Sequence, residues 1–179
     1  MCIRDSSIYI YPDLGSIASL TGQRGDGHAV VEARILHIVA SDPRAAGPCE
    51  KLVAHEGAHI LAYEDWGATG TPMMGEGLAV WASSGYGGTS LTEWKRRIEA
   101  PRVPSIESLL GKSFRQMPEN QSYPLAGLFV EMAVEELGVA KVRQHLYGAT
   151  ASNWDSACKG AGTTSQNLEA TFRTLFGRR

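Results

Sequence analysis

The residues predict an α+β fold, with a small N-terminal sheet followed by a mainly helical remainder. Three observations point there. Short runs rich in β-branched and aromatic residues occur only near the start. Segments with helical spacing of apolar positions occupy most of the rest, and strands followed by helices is the α+β pattern. The chain has 179 residues, 43% of them hydrophobic, which suits one domain with a real core.

Along the chain, Ser7 to Tyr11 reads as a short strand closed by Pro12-Asp13. Met1 to Ser6 is expected to be a non-native start. That leaves 7–179 as the single domain and puts any natural start, with any export signal, upstream. Gly15 to Gly27 reads as a connection with at most one helical turn. Val30 to Ala40 alternates Ile35, His37 and Val39 with Leu36 and Ile38, as one long strand or a hairpin arm would. This segment is the expected edge along which an extended peptide would lie. Pro43 to Pro48 is a break, and Pro48 fits the first turn of a helix from Cys49 to Tyr63. Further helices are expected over Met73 to Ser84, Leu91 to Ile98, Ser105 to Leu110, Leu125 to Leu137, Val139 to Tyr147 and Ser165 to Gly177.

The formal net charge is -2 with both signs interspersed, so nothing suggests nucleic acid as a partner. No run of about 18 apolar residues exists, so the sequence encodes no transmembrane helix. Setting Cys2 aside leaves Cys49 and Cys158, which suit either one disulfide or, the reading we favour, two free thiols.

The chemistry concentrates in His55-Glu56-Gly57-Ala58-His59. On a helix, residues i and i+4 sit about 40° apart around the axis, so both imidazoles leave one face and reach one ion. Glu56, one step round, can take a proton from solvent activated there without itself being a ligand. At average residue usage this pattern arises by chance in under about 1% of chains of this length. Two histidines and an acid against an apolar surface without an ion would be costly to desolvate.

A catalytic zinc needs a third protein ligand and one open position. Glu76, 17 residues after His59, would return on the next helix after a loop. Asp65, six residues after His59, is the other candidate, but the pattern it would complete wants Gly where Ala62 stands. Spacing favours Glu76. His28, His37 and His145 lack ligand spacing and read as surface or strand positions. Trp66 and Trp81 read as core residues.

His55-Glu56-x-x-His59 followed by Glu76-Gly77-Leu78-Ala79 resembles the gluzincins. It is most similar to bacterial peptidase-MA-like domains, and more distantly to M1 aminopeptidases. Ser122-Tyr123-Pro124-Leu125-Ala126-Gly127 looks like the Tyr-x-x-x-Gly helix of that group. The resemblance covers residues 30–176. It implies a zincin-like fold, Zn2+ on His55, His59 and Glu76, and Glu56 as general base. It further implies a hydrogen bond from Tyr123 to the oxyanion, peptide or protein substrates and an extracytoplasmic location. Two departures stand out. Gly27-His28-Ala29-Val30-Val31 is the nearest match to the aminopeptidases' Gly-Ala-Met-Glu-Asn strand, and it lacks the amine-binding Glu. Gly75 occupies a position that is often polar in the group. Two alternatives stay open: a metzincin-like peptidase using Asp65, and a non-catalytic module that zinc merely braces.

Overall fold

At the centre of the N-terminal sheet runs β3 (Ile35–Val39), with β1 (Ser7–Tyr11) parallel to it on one side and β2 (Gly27–Val30) antiparallel on the other. The structure is a computed structural model and describes residues 6–42 and 47–177. Cys2 and the rest of the expected non-native start apart from Ser6, most of the Pro43 to Pro48 break, and Arg178-Arg179 lie outside the described residues.

Val30 to Ala40 is therefore not one long strand. Val30 closes β2, Val31–Ala33 form a 3-10 turn, and Arg34 takes a left-handed φ of 54° before β3 begins. The hairpin-arm reading holds. The edge assignment does not, because β3 is paired on both sides and the edge strands are β1 and β2. One face of β3, Leu36 and Ile38, is buried, while on the other Val39 is buried and Ile35 and His37 are partly buried. Leu36 and Ile38 pack on Leu52 and Ile60 of α2 (Cys49–Trp66). Val39 joins Tyr11 against Ile17 of α1 (Leu14–Thr21).

α1 occupies the stretch expected to be a connection. It is set by an N-cap, the Asp13 carboxylate accepting from the Ser16 amide at 2.7 Å, and it ends on left-handed Gly22. Only Ile17 of its residues is buried, which is why no apolar period marked it. α2 starts where expected, directly after Pro48, and continues to Trp66.

α3 (Pro72–Ala82) starts with Pro at its first position, and its Thr71 cap accepts from the Met74 amide. A small hairpin, β4 (Gly85–Tyr86) with β5 (Thr89–Ser90), follows. Then come α4 (Leu91–Arg97), α5 (Ile106–Leu110) and α6 (Ser113–Gln116). α7 (Glu119–Leu137) begins before the expected Leu125 and carries Pro124 inside it. An interior proline costs a helix about 3 kcal/mol. Burial of Ser122 and of every residue from Pro124 to Val130 offsets that cost. α8 (Val139–Lys141) runs into a π-helical segment, Val142–Leu146, and α9 (Trp154–Gly160) and α10 (Ser165–Thr174) complete the order.

The main core gathers on α7. Leu128 and Phe129 meet Met73, Met74 and Val80 of α3, Leu109 of α5, and Leu168 and Phe172 of α10. α3 and α7 cross closely because glycines face the partner helix. A Cβ on Gly77 would stand 2.6 Å from the Ala126 carbonyl oxygen, and one on Gly127 would stand 2.4 Å from Val80 Cγ1. Trp66 and Trp81 pack, partly buried, against this core as expected. Cys49 and Cys158 are free thiols, so the disulfide option falls. Among the described residues no helix is long and apolar enough to cross a membrane.

Candidate metal centre

Three ligand atoms converge where α2 faces α3. Glu76 Oε2 lies 3.4 Å from His55 Nε2 and 3.5 Å from His59 Nε2. The two imidazoles stand edge to face, with centroids 5.1 Å apart. Among the described residues these three are the only His, Cys, Asp or Glu group whose donor atoms cluster tightly enough for a metal ion, all within 4.8 Å of one another. The helix periodicity of α2 supplies the two histidines from one face. The short link to α3 supplies the carboxylate from the neighbouring helix.

The electrostatics fit a cation site. Burial opposes ionisation of Glu76, but its contacts with His55 and His59 outweigh burial and hold the carboxyl down at about 2. Burial likewise pulls the His59 imidazole down, and Glu76 with Glu56 more than reverses this, so His59 ends above its ordinary value. The contacts of 3.4 and 3.5 Å exceed the 2.7–3.2 Å of ordinary N–H···O bonds. The carboxylate and the rings therefore do not close onto each other. They frame a point between them.

Glu56 sits beside this group, nearly fully buried. Burial raises its carboxyl above the usual carboxylate range. His55 and His59 pull it back in part, and Glu76 and Asp26 add to the rise. Room for it comes from the strand opposite: an ideal Cβ on Gly27 of β2 would lie 2.6 Å from Glu56 Oε1. The stretch Gly27 to Val31, picked out in the sequence as the match to the aminopeptidase strand, thus ends up partly as β2, against the metal group's neighbour.

A cleft of about 510 Å³ opens over the group. The β2 strand and its preceding loop line one part of it, and the β4–β5 hairpin lines another. Tyr123 of α7 lines it too, its ring 6.2 Å from that of His55 and edge-on. Burial, with the negative charge of Glu76, raises the Tyr123 phenol well above its ordinary value, so it stays a neutral donor. Tyr86 from the hairpin packs on Tyr123 at 5.1 Å and donates to Glu119 at 3.2 Å.

The other candidates lie elsewhere. Asp65 is exposed near the end of α2, and its backbone carbonyl, not its carboxylate, accepts from Arg143. His28 and His37 face each other across β2 and β3 with rings 6.0 Å apart, and His37 Nδ1 is bonded to the Tyr11 hydroxyl at 2.8 Å. His145 is in the π-helical segment. Sequence reasoning missed Gly27 as a spacing residue, Tyr86, and Arg115, whose Nη2 stands 3.8 Å from Glu76 Oε1. The only sequence signal for Arg115 is its place directly after Phe114, which the core buries.

No protein-family model and no curated protein matches the chain.

Proposed function

We propose that this chain is a zinc-dependent peptidase of the gluzincin type. The observation that carries the reading is the convergence of His55, His59 and Glu76 beside a buried Glu56 in an open cleft. Tetrahedral ligands at about 2.0–2.1 Å from zinc stand about 3.3 Å from one another. The two N···O distances of 3.4 and 3.5 Å are close to that spacing. Two imidazoles and one carboxylate are also the donor types that zinc takes in catalytic sites with three protein ligands.

When bound, zinc acidifies the water it holds to a pKa near 7 and polarises a carbonyl oxygen. The chain's own residues do the rest. An extended peptide pairs with β2, the strand at the sheet edge among the described residues, which brings a carbonyl over the cleft floor. Glu56 takes one proton from the attacking water, and its raised affinity for protons suits it to hold that proton and then deliver it to the leaving amine. Tyr123 donates a hydrogen bond to the carbonyl oxygen as it gains charge. The extracytoplasmic location implied by the resemblance belongs to the same proposal.

The test is metal content measured together with cleavage of a mixed peptide library, with and without chelator. About one zinc per chain, and cleavage that chelator abolishes, is the expected result. Glu56→Gln should keep its zinc and lose at least about a hundredfold in rate. Unchanged cleavage by a zinc-loaded Glu56→Gln protein would remove Glu56 as the base.

A further inference from the structure

The cleft carries one cation, Arg115, whose ionic neighbour does not use it up. Phe114, buried in the core and edge-on to the Tyr123 ring at 6.0 Å, pins α6. The next residue, Arg115, therefore lines the cleft beside the metal group. Its side chain is 63% exposed. Among the described residues its one ionic neighbour is Glu76, at 3.8 Å, too far for a hydrogen bond. Arg24 and Lys51 line the same cleft. Lys51 is occupied, donating to the Ser83 carbonyl at 2.9 Å. Of the lining acids outside the metal group, Glu119 is engaged by the Tyr86 hydroxyl.

A guanidinium presents a planar fork of donors that matches a carboxylate with two parallel bonds. One held within a few ångströms of a hydrolytic centre, with its donors unspent, is built to meet an anion brought in by the substrate. We propose that Arg115 anchors a carboxylate of the substrate next to the bond that is cut, so that the enzyme selects peptides carrying one there. This rests on the peptidase reading above. The carboxylate has two possible sources, the C-terminus of the peptide and an acidic side chain, and both present the same chemistry to Arg115.

The experiment compares matched peptides on the zinc-loaded full chain. One pair differs only in a free versus amidated C-terminus, the other only in Glu versus Gln beside the scissile bond. The expected result is a preference in kcat/KM of about tenfold to a hundredfold for the carboxylate member of one pair, the size of a lost charge-assisted pair. Whichever pair shows it names the source. Arg115→Gln should collapse that ratio towards one, and Arg115→Lys should keep part of it. The ratio is the readout because Arg115 also neighbours Glu76, so absolute rates mix two effects. No preference in the wild type, or a ratio unchanged in Arg115→Gln, overturns the proposal. If the zinc-loaded wild type cleaves neither the four peptides nor the mixed library, the peptidase reading fails; if it cleaves none of the four, titration with N-acetyl-glycylglycine judges the anchor alone. Binding weakened about tenfold in Arg115→Gln upholds it; equal binding, or none, overturns it.

Discussion

Gly27→Ala probes the site without touching a ligand. The added Cβ would stand 2.6 Å from Glu56 Oε1, 3.0 Å from Cγ and 3.1 Å from Cδ. Ordinary contact needs about 3.4 Å, so the carboxylate must retreat by about 0.8 Å. Glu56 is nearly fully buried, and the only room it has to swing is towards the cleft it lines, away from the position it holds beside His55 and His59. A misplacement of about 1 Å in a reacting group can cost about a hundredfold. We expect kcat/KM to fall by about tenfold to a hundredfold, or ~1.4–2.8 kcal/mol of transition-state stabilisation. Zinc content should stay near one per chain, because His55, His59 and Glu76 are not the groups the new methyl meets. The assay is kcat/KM on a cleaved peptide, alongside zinc stoichiometry and a thermal melt that separates misplacement from unfolding. A folded, zinc-loaded Gly27→Ala protein within twofold of wild type would refute the claim that this contact holds Glu56 in place.

Glu76→Ala should weaken zinc by more than about a hundredfold, beyond the usual loss for an outer-shell partner, while Asp65→Ala stays within about twofold in a competition assay. The metal-free protein should be most stable between about pH 4.5 and 6.5 in melts across pH. The stabilisation from Glu76, whose carboxyl is held at about 2, is lost as pH falls below 4.5. That from His59, whose pKa is raised above 6.5, is full below 6.5 and lost as pH climbs through the raised value. Zinc affinity should run the other way, falling as pH drops through the raised His59 pKa, since a protonated imidazole cannot be a ligand. In a Cys2→Ser background at about pH 8, a thiol reagent should label Cys49 alone. Burial pushes the Cys158 thiol up to about 11 and encloses it fully, so it should react only on unfolding. Gly127→Ala forces a Cβ to 2.4 Å from Val80 Cγ1 and should cost about 1–3 kcal/mol in denaturant unfolding. Adding Val80→Ala should recover part of that loss, and strictly additive costs would refute the clash.

The metal group was legible because its geometry is local. The i, i+4 spacing of His55 and His59 holds on any helix, and Glu76 needed only a loop and one return helix. Tyr123 was reachable through resemblance alone, since nothing in Tyr-Pro-Leu says that the residue faces the histidines. α1 was hidden because one buried residue sets no period. The edge of the sheet was misassigned for a physical reason. β3 carries apolar residues towards both α1 and α2, but that says nothing of its neighbours in the sheet, and only pairing separates a central strand from an edge one. Arg115 was invisible because its place depends on where the core takes Phe114, which is a tertiary fact.

The crossing of α3 and α7 ties core to chemistry. Gly77 and Gly127 are the residues that let the two helices meet. Gly77 directly follows Glu76, and Gly127 lies one helical turn after Tyr123, on the same face. The contact that seals the apolar core therefore also sets how far the third ligand and the phenol stand from the histidines of α2. A larger residue at Gly77 would meet the Ala126 carbonyl and one at Gly127 the Val80 side chain, so either would press on the crossing that positions both groups. Thus the Glu-Gly and Tyr-x-x-x-Gly patterns each combine a residue of the candidate site with the spacing residue that positions it.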